Sequence, residues 1–170
     1  MTVQKILWHL PRPSSTYKGS YPLHFEKKFK KLINCDYLHV FSGTAKTGLR
    51  VDIKFENKPD IVADAHYLPF KDNTFPASLA DPPYSKQLAK ELYQTPELKE
   101  KLWVSELVRV TKPGGKIALY HWYQSPRPKG CKYWRILVIL TRIRHFARIC
   151  CIFIKEEHTQ TSITHYGTNE

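Results

Sequence analysis

Four short β-rich stretches crowd the first half of the chain, and each runs out into a glycine or an aspartate. Residues 37–41 lead into Ser42-Gly43-Thr44-Ala45-Lys46-Thr47-Gly48, residues 49–53 carry Asp52, residues 60–63 end at Asp64, and residues 78–80 end at Asp81. Strands that deliver polar groups at one end suit an open α/β sheet, whose ligands bind at the carboxyl edge of the strands. The spacing adds a constraint. Only seven residues, 42–48, join the first two strands, and residues 54–59 join the next two just as tightly. A helical crossover needs at least about ten to twelve residues, so the first crossover helices should be missing. Seven residues at about 3.3 Å each can still return along a strand, which keeps the strands parallel but leaves the sheet face near residues 49–63 thinly covered. The expected cover is the N-terminal arm, a second copy of the chain in a homodimer, or a partner subunit.

The remaining segments complete a single domain. Residues 1–22, with Pro11, Pro13, Gly19 and Pro22, read as an extended arm ending in a turn. A helix should follow, with Phe25, Phe29, Leu32 and Ile33 on one stripe and Lys27, Lys28, Lys30 and Lys31 on the other. A second helix is predicted with Thr95 as N-cap, Pro96 at its first position, Glu97 in its first turn and Leu98, Leu102, Leu107 and Val110 buried. Lys112-Pro113-Gly114-Gly115 should stop it. Residues 117–122 read as a strand, and residues 134–140 with 149–154 as a terminal hairpin whose tip holds Arg142, Arg144, His145 and Arg148. The fold class expected is therefore a Rossmann-like α/β sheet, mostly parallel with a C-terminal antiparallel hairpin, spanning 23–156 between the arm and a disordered tail at 157–170.

Charge narrows the partners. Lys and Arg outnumber Asp and Glu by 27 to 15, a net +12, which favours a polyanion over a small neutral metabolite. Cys35, Cys131, Cys150 and Cys151 show neither zinc-ligand spacing nor a disulfide framework and read as buried thiols. His66, His121 and His145 are not spaced as a ligand set, so no metal is expected. The N-terminus has no apolar leader core and no stretch suits a bilayer, which predicts a cytoplasmic protein without a membrane partner.

Asp81-Pro82-Pro83-Tyr84 is the stretch that carries chemistry. Two prolines remove two backbone donors and fix two φ angles, leaving the carbonyls of Asp81 and Pro82 outside any regular ladder. A carboxylate and a carbonyl can accept the two hydrogens of an exocyclic amino group, while an aromatic face holds a nucleobase that has left its stack. A rigid turn at a strand end is the alternative reading of the same four residues.

Taken together, Phe41-Ser42-Gly43-Thr44-Ala45, Asp52, Asp64-Ala65, Leu68-Pro69-Phe70, Asp81-Pro82-Pro83-Tyr84 and Arg109-Val110-Thr111-Lys112-Pro113-Gly114-Gly115 resemble the class I S-adenosylmethionine-dependent methyltransferases. Among these the chain looks like the nucleic-acid amino-methyltransferases that carry a D-P-P-Y motif, the N6-adenine DNA enzymes in particular. The resemblance spans most of residues 16–154. It implies S-adenosylmethionine as cofactor, with Phe41, Gly43 and Ala45 at its methionine part, Asp52 on the ribose hydroxyls, Asp64 on the adenine amino group with Ala65 beside it, and residues 17–20 helping to close the methionine end. It implies a catalytic clamp of Asp81, Pro82, Pro83 and Tyr84 on the target base. Arg142, Arg144 and Arg148 are the candidate phosphate contacts.

The sequence departs from the family at Ala45, where a second glycine is frequent, and at His39, where an acid is frequent. DNA is favoured over RNA as the nucleic-acid partner and adenine N6 over cytosine N4, but both alternatives fit the same acceptor pair. A binding or partner module that keeps the fold without turnover is the reading from another class. A phosphate loop at Gly43 to Gly48 is excluded, because Leu49-Arg50 stands where Lys and Ser or Thr are required.

Overall fold

A computed structural model describes residues 3–13, 20–83, 98–141 and 146–157. Eight strands form one sheet: β1 Gln4–His9, β2 Leu38–Val40, β3 Leu49–Asp52, β4 Ile61–Val62, β5 Phe75–Ala80, β6 Thr111–His121, β7 Cys131–Leu140 and β8 Arg148–Lys155. Their order across the sheet is β1-β7-β8-β6-β5-β2-β3-β4. The run β4-β3-β2-β5-β6 is parallel throughout. β8 inserts antiparallel between β6 and β7. This is the mostly parallel sheet with a C-terminal antiparallel hairpin that the sequence predicts.

Among the described residues, helices α1 (Phe25–Ile33) and α2 (Glu100–Val110) pack on the two faces of the sheet. α1 buries Phe25, Phe29 and Ile33 in a cluster with Tyr37, Leu79, Tyr120 and Leu137. α2 buries Trp103, Leu107 and Val110 in a second cluster with Leu38, Val40, Leu119 and Phe153. Neighbouring strand residues divide between the clusters, as alternation across a pleated sheet requires: Ala77 and Leu79 join the first and Ala80 the second. Among the described residues no helix is long and apolar enough to cross a membrane.

Several boundaries differ from the sequence reading. The N-cap of α2 is Lys99 rather than Thr95, and residues 95–97 lie outside those described. Leu102 is 41% exposed and Trp103 is buried in its place, because the buried stripe runs through 103, 107 and 110 at helical spacing. α2 ends at Val110, ahead of the Lys112-Pro113-Gly114-Gly115 stop predicted for it, and β6 begins at once, so those four residues fall within strand bounds. The ammonium of Lys155 accounts for the abrupt stop: it donates to the carbonyls of Val108 and Thr111, at 2.7 and 2.8 Å, at the end of the helix.

Within the predicted arm, Gln4–His9 is extended and pairs in parallel with β7. That edge is the far one from β4. The strand part of the arm, Gln4–His9, therefore does not cover the face near residues 49–63, where the arm was one of three covers expected; residues 14–19 of the arm lie outside those described.

The missing first crossover is as predicted: residues 41–48 contain no helix and β3 still pairs parallel to β2. The loop itself lies back on the strand. Leu49 N–H donates to the Tyr37 carbonyl at 2.9 Å, and Gly48 at φ 82 passes so close that a Cβ would stand 2.9 Å from that same carbonyl oxygen. Tyr37 Oη and Thr47 Oγ1 are 2.5 Å apart. His39 Nδ1–H donates to the Thr47 carbonyl at 3.0 Å, and Tyr21 Oη lies 3.0 Å from His39 Nε2. From α1, Glu26 Oε1 accepts Lys46 N–H, Thr47 N–H and Thr47 Oγ1–H at 2.8–3.0 Å. His39, the departure from the family pattern, is thus a fully buried node that holds the loop down, and burial pushes its pKa below the ordinary histidine value.

Candidate active site at the sheet's switch point

The chain leaves β2 toward β3 on one side and returns through β5 on the other, so the ends of β2 and β5 diverge at the centre of the sheet. Such a divergence opens a crevice at the carboxyl edge. Residues 41–45 and 81–83 emerge on its two sides, linked where Asp81 N–H points at the Val40 carbonyl, 3.4 Å away.

On the β2 side Phe41 takes a left-handed backbone, φ 56, unusual for a bulky side chain. Its ring meets the edge of Trp103 at 5.5 Å, which offsets the strain. Gly43 also has positive φ, 50, and its N–H donates to Asp52 Oδ2 at 2.8 Å. Asp52 Oδ1 accepts Lys54 N–H at 2.9 Å, and the residue is 2% exposed. Ala45 is buried and donates its N–H to the Ser42 carbonyl. Ser42 Oγ is buried without a hydrogen-bond partner among the described residues. A cavity of about 950 Å³ opens between this loop and α1, lined from Ser20 and Tyr21 along the lysine face of the helix to Asp36, and by Ser42, Thr44 and Ala45. Residues 17–19 lie outside those described.

After β4, Asp64 is partly exposed and Ala65 is buried. Asp64 Oδ1 accepts the backbone N–H of His66 at 2.9 Å and its ring Nδ1–H at 2.7 Å. The sequence reading weighed His66 only as a metal ligand, and its bond to Asp64 was not expected. Its position two residues after an aspartate is the signal, since that is the spacing of an Asx turn.

On the β5 side Asp81 and Pro83 are half-buried and Pro82 is buried, while Tyr84 lies outside the described residues. Burial, with the Asp81 carboxylate adding to it, holds the Tyr120 phenol well above its ordinary pKa. His121 is pushed down to about 4 by burial and by the Arg148 guanidinium. Arg148 opens β8 beside the end of β6. It therefore stands at the same sheet end as Asp81, whereas Arg142 and Arg144 lie outside the described residues. Trp122 and Tyr123, 53% and 38% exposed, follow directly from β6 and put two flat rings at this end.

The arrangement gathers a glycine loop, the carboxylates of Asp52 and Asp64 and the acid-proline segment that begins at Asp81 on one edge of the sheet. No family model and no curated sequence matches the chain. Solved structures do. TrmN from Thermus thermophilus is 17% identical with a TM-score of 0.59, over 81% of this chain and 50% of that one. The chain thus spans about half the length of that protein. A methyltransferase of Haloferax volcanii, solved in complex with the Trm112 activator, is 13% identical at TM-score 0.56, over 79% and 90%. A Burkholderia thailandensis 1,6-didemethyltoxoflavin-N1-methyltransferase, with its substrate and S-adenosylhomocysteine bound, is 7% identical at TM-score 0.54, over 77% and 76%. Together with the strand order and the antiparallel hairpin, these likenesses establish that the chain has the Rossmann-like class I methyltransferase fold.

Proposed function

We propose that this chain is an S-adenosylmethionine-dependent methyltransferase acting on an exocyclic amino group of a nucleobase, with N6 of adenine in DNA as the first choice of substrate. The observation that carries the reading is the position of Asp81-Pro82-Pro83 at the end of β5, across the switch point from the glycine loop. The likeness to methyltransferases of known structure supports the cofactor.

The residues present fit that cofactor in two places. Asp64 keeps an exposed carboxylate oxygen for the adenine amino group, and Ser42 Oγ with the Gly43 backbone leaves an unsatisfied hydroxyl and a side-chain-free approach at the methionine end. Phe41 and Ala45 shape that loop, and Ala65 packs beside Asp64. Asp52 is the ribose acceptor of the proposal. Both its oxygens already hold backbone amides, so a ribose hydroxyl uses their remaining lone pairs or displaces Gly43 N–H.

S-adenosylmethionine supplies an electrophilic methyl group on a sulfonium. The protein's task is the nucleophile. An aromatic amino nitrogen has its lone pair delocalised into the ring. Hydrogen bonds from that NH₂ to Asp81 and the Pro82 carbonyl favour a more tetrahedral nitrogen and direct the lone pair outward, while Pro83 fixes the segment and Tyr84 holds the base face. Arg148, at the same sheet end as Asp81, is the phosphate contact of the proposal.

The test is transfer of a labelled methyl group to DNA and, separately, to RNA. Transfer to DNA that is lost in Asp81→Ala is expected, and the modified nucleoside identifies N6-adenine or N4-cytosine. Incorporation into RNA alone moves the substrate to RNA. Binding of cofactor without transfer to either polymer overturns the reading. The buried, doubly occupied Asp52 favours one rival, a nucleic-acid-binding or partner module without turnover, and calorimetry with S-adenosylhomocysteine separates them: no binding is the module's signature.

A second copy or a partner subunit over the β3–β4 edge belongs to the same proposal. Phe55 and Val62 are 75% and 51% exposed there, and the Haloferax neighbour was solved with a partner.

A further inference from the structure

The ring of His66 is committed at both nitrogens. Nδ1 is 2.7 Å from Asp64 Oδ1 and Nε2 is 3.0 Å from the backbone N of Lys99. A backbone N–H can only donate, so Nε2 accepts and the single ring proton sits on Nδ1, facing the carboxylate. The partners on either side thereby fix one neutral tautomer.

The consequence falls on Asp64. Oδ1 receives both the His66 N–H and the His66 ring proton, whereas Oδ2 has no hydrogen-bond partner among the described residues. The Asp64 side chain is 44% exposed against 13% for His66. A carboxylate free to rotate about its last bond is held with one oxygen inward and the other open. The backbone N–H alone would close the Asx turn; the ring adds a second bond and a link to Lys99, the N-cap of α2. Lys99 follows residues 84–97, the segment that leaves the acid-proline stretch.

We propose that His66 is a positioning residue that sets Asp64 as a fixed acceptor for the 6-amino group of the cofactor's adenine. The inference rests on the cofactor reading above. An acceptor-only oxygen discriminates, because a purine carrying a 6-oxo group in place of the 6-amino group turns acceptor against acceptor.

Titration calorimetry with S-adenosylhomocysteine and its deaminated S-inosyl analogue reads this directly. The wild-type protein should prefer the adenosyl ligand by about tenfold to a hundredfold, the scale of one hydrogen bond to a charged group. His66→Ala should cut that preference to about threefold or less by weakening the adenosyl ligand alone. His66→Asn, whose amide can stand in for Nδ1–H, should restore it. Asp64→Asn offers a test that does not depend on the stability of His66→Ala. With His66 in place, the oxygen of the introduced amide turns to the His66 donors and its nitrogen faces out, so the preference should reverse toward the inosyl ligand. Adding His66→Ala to Asp64→Asn should abolish the reversal. An adenosyl preference unchanged in His66→Ala, or no reversal in Asp64→Asn, overturns the proposal. A wild-type protein that binds both ligands equally overturns it too and leaves the cofactor reading standing, whereas one that binds neither removes both.

Discussion

The two ends of the sheet are built on different physics. At one end β6, β7 and β8 are 11, 10 and 8 residues long, and their inner residues, Cys150, Ile152 and Phe153 among them, are fully buried. At the other, β2, β3 and β4 are 3, 4 and 2 residues long, and side-chain hydrogen bonds replace the missing crossover helices. Glu26, His39, Asp52 and Asp60 each hold a loop or strand end there. The long-strand end rests on apolar area, whereas the short-strand end adds named polar contacts to the few buried side chains it has, Leu38, Val40 and Val51. All the proposed cofactor residues sit on the second, and the base clamp lies where the two meet.

A core truncation should therefore hurt most in the long-strand half. Phe153→Ala removes a fully buried ring from the cluster that α2 covers, and a loss of about 3–5 kcal/mol is expected in urea denaturation. A loss below about 1 kcal/mol would mean that this half is not the stabilising one. Glu26→Ala probes the other half by freeing three donors of residues 46 and 47 at once. About 2 kcal/mol is expected, with hydrogen exchange accelerated across 42–49 and not in β7 or β8. Uniform acceleration through both halves would erase the distinction.

This contrast also explains what the sequence disclosed. Strand ends marked by Gly43, Asp52, Asp64 and Asp81 were legible because polar residues interrupt apolar runs there, and the absent crossover helix followed from chain length alone. β1 was not, since parallel pairing between Gln4–His9 and β7 joins segments more than a hundred residues apart and leaves no local periodicity. Trp103 displaced Leu102 because a shift of one residue changes a helix face while composition stays apolar. The role of His66 was illegible for a related reason: it depends on Lys99, 33 positions away.

Between the halves, His121 gives a pH signature. Its folded pKa of about 4 lies below the ordinary 6.5, through burial first and the Arg148 charge second. The unfolded chain then binds the proton more readily. The stability contributed is complete above pH 6.5 and is lost as the pH falls toward 4. Integrated over that interval the linkage is on the order of 2–3 kcal/mol. His121→Gln should flatten the fall in Tm between those pH values, while an equally steep fall would assign the acid sensitivity to other groups.

The smallest effect expected on stability is at the bare edge, where it bears on assembly instead. Val62 is 51% exposed on a two-residue edge strand, so Val62→Lys should alter the free energy of unfolding by no more than about 0.5 kcal/mol. A lysine on an exposed edge strand opposes pairing with another chain. If a second copy covers this edge, sedimentation velocity should show a wild-type dimer that Val62→Lys and Phe55→Ser return to monomers. A wild-type monomer at all concentrations assigns the cover to a different partner. A dimer untouched by both substitutions places the contact elsewhere and leaves the short-strand end to its own polar contacts and its few buried side chains.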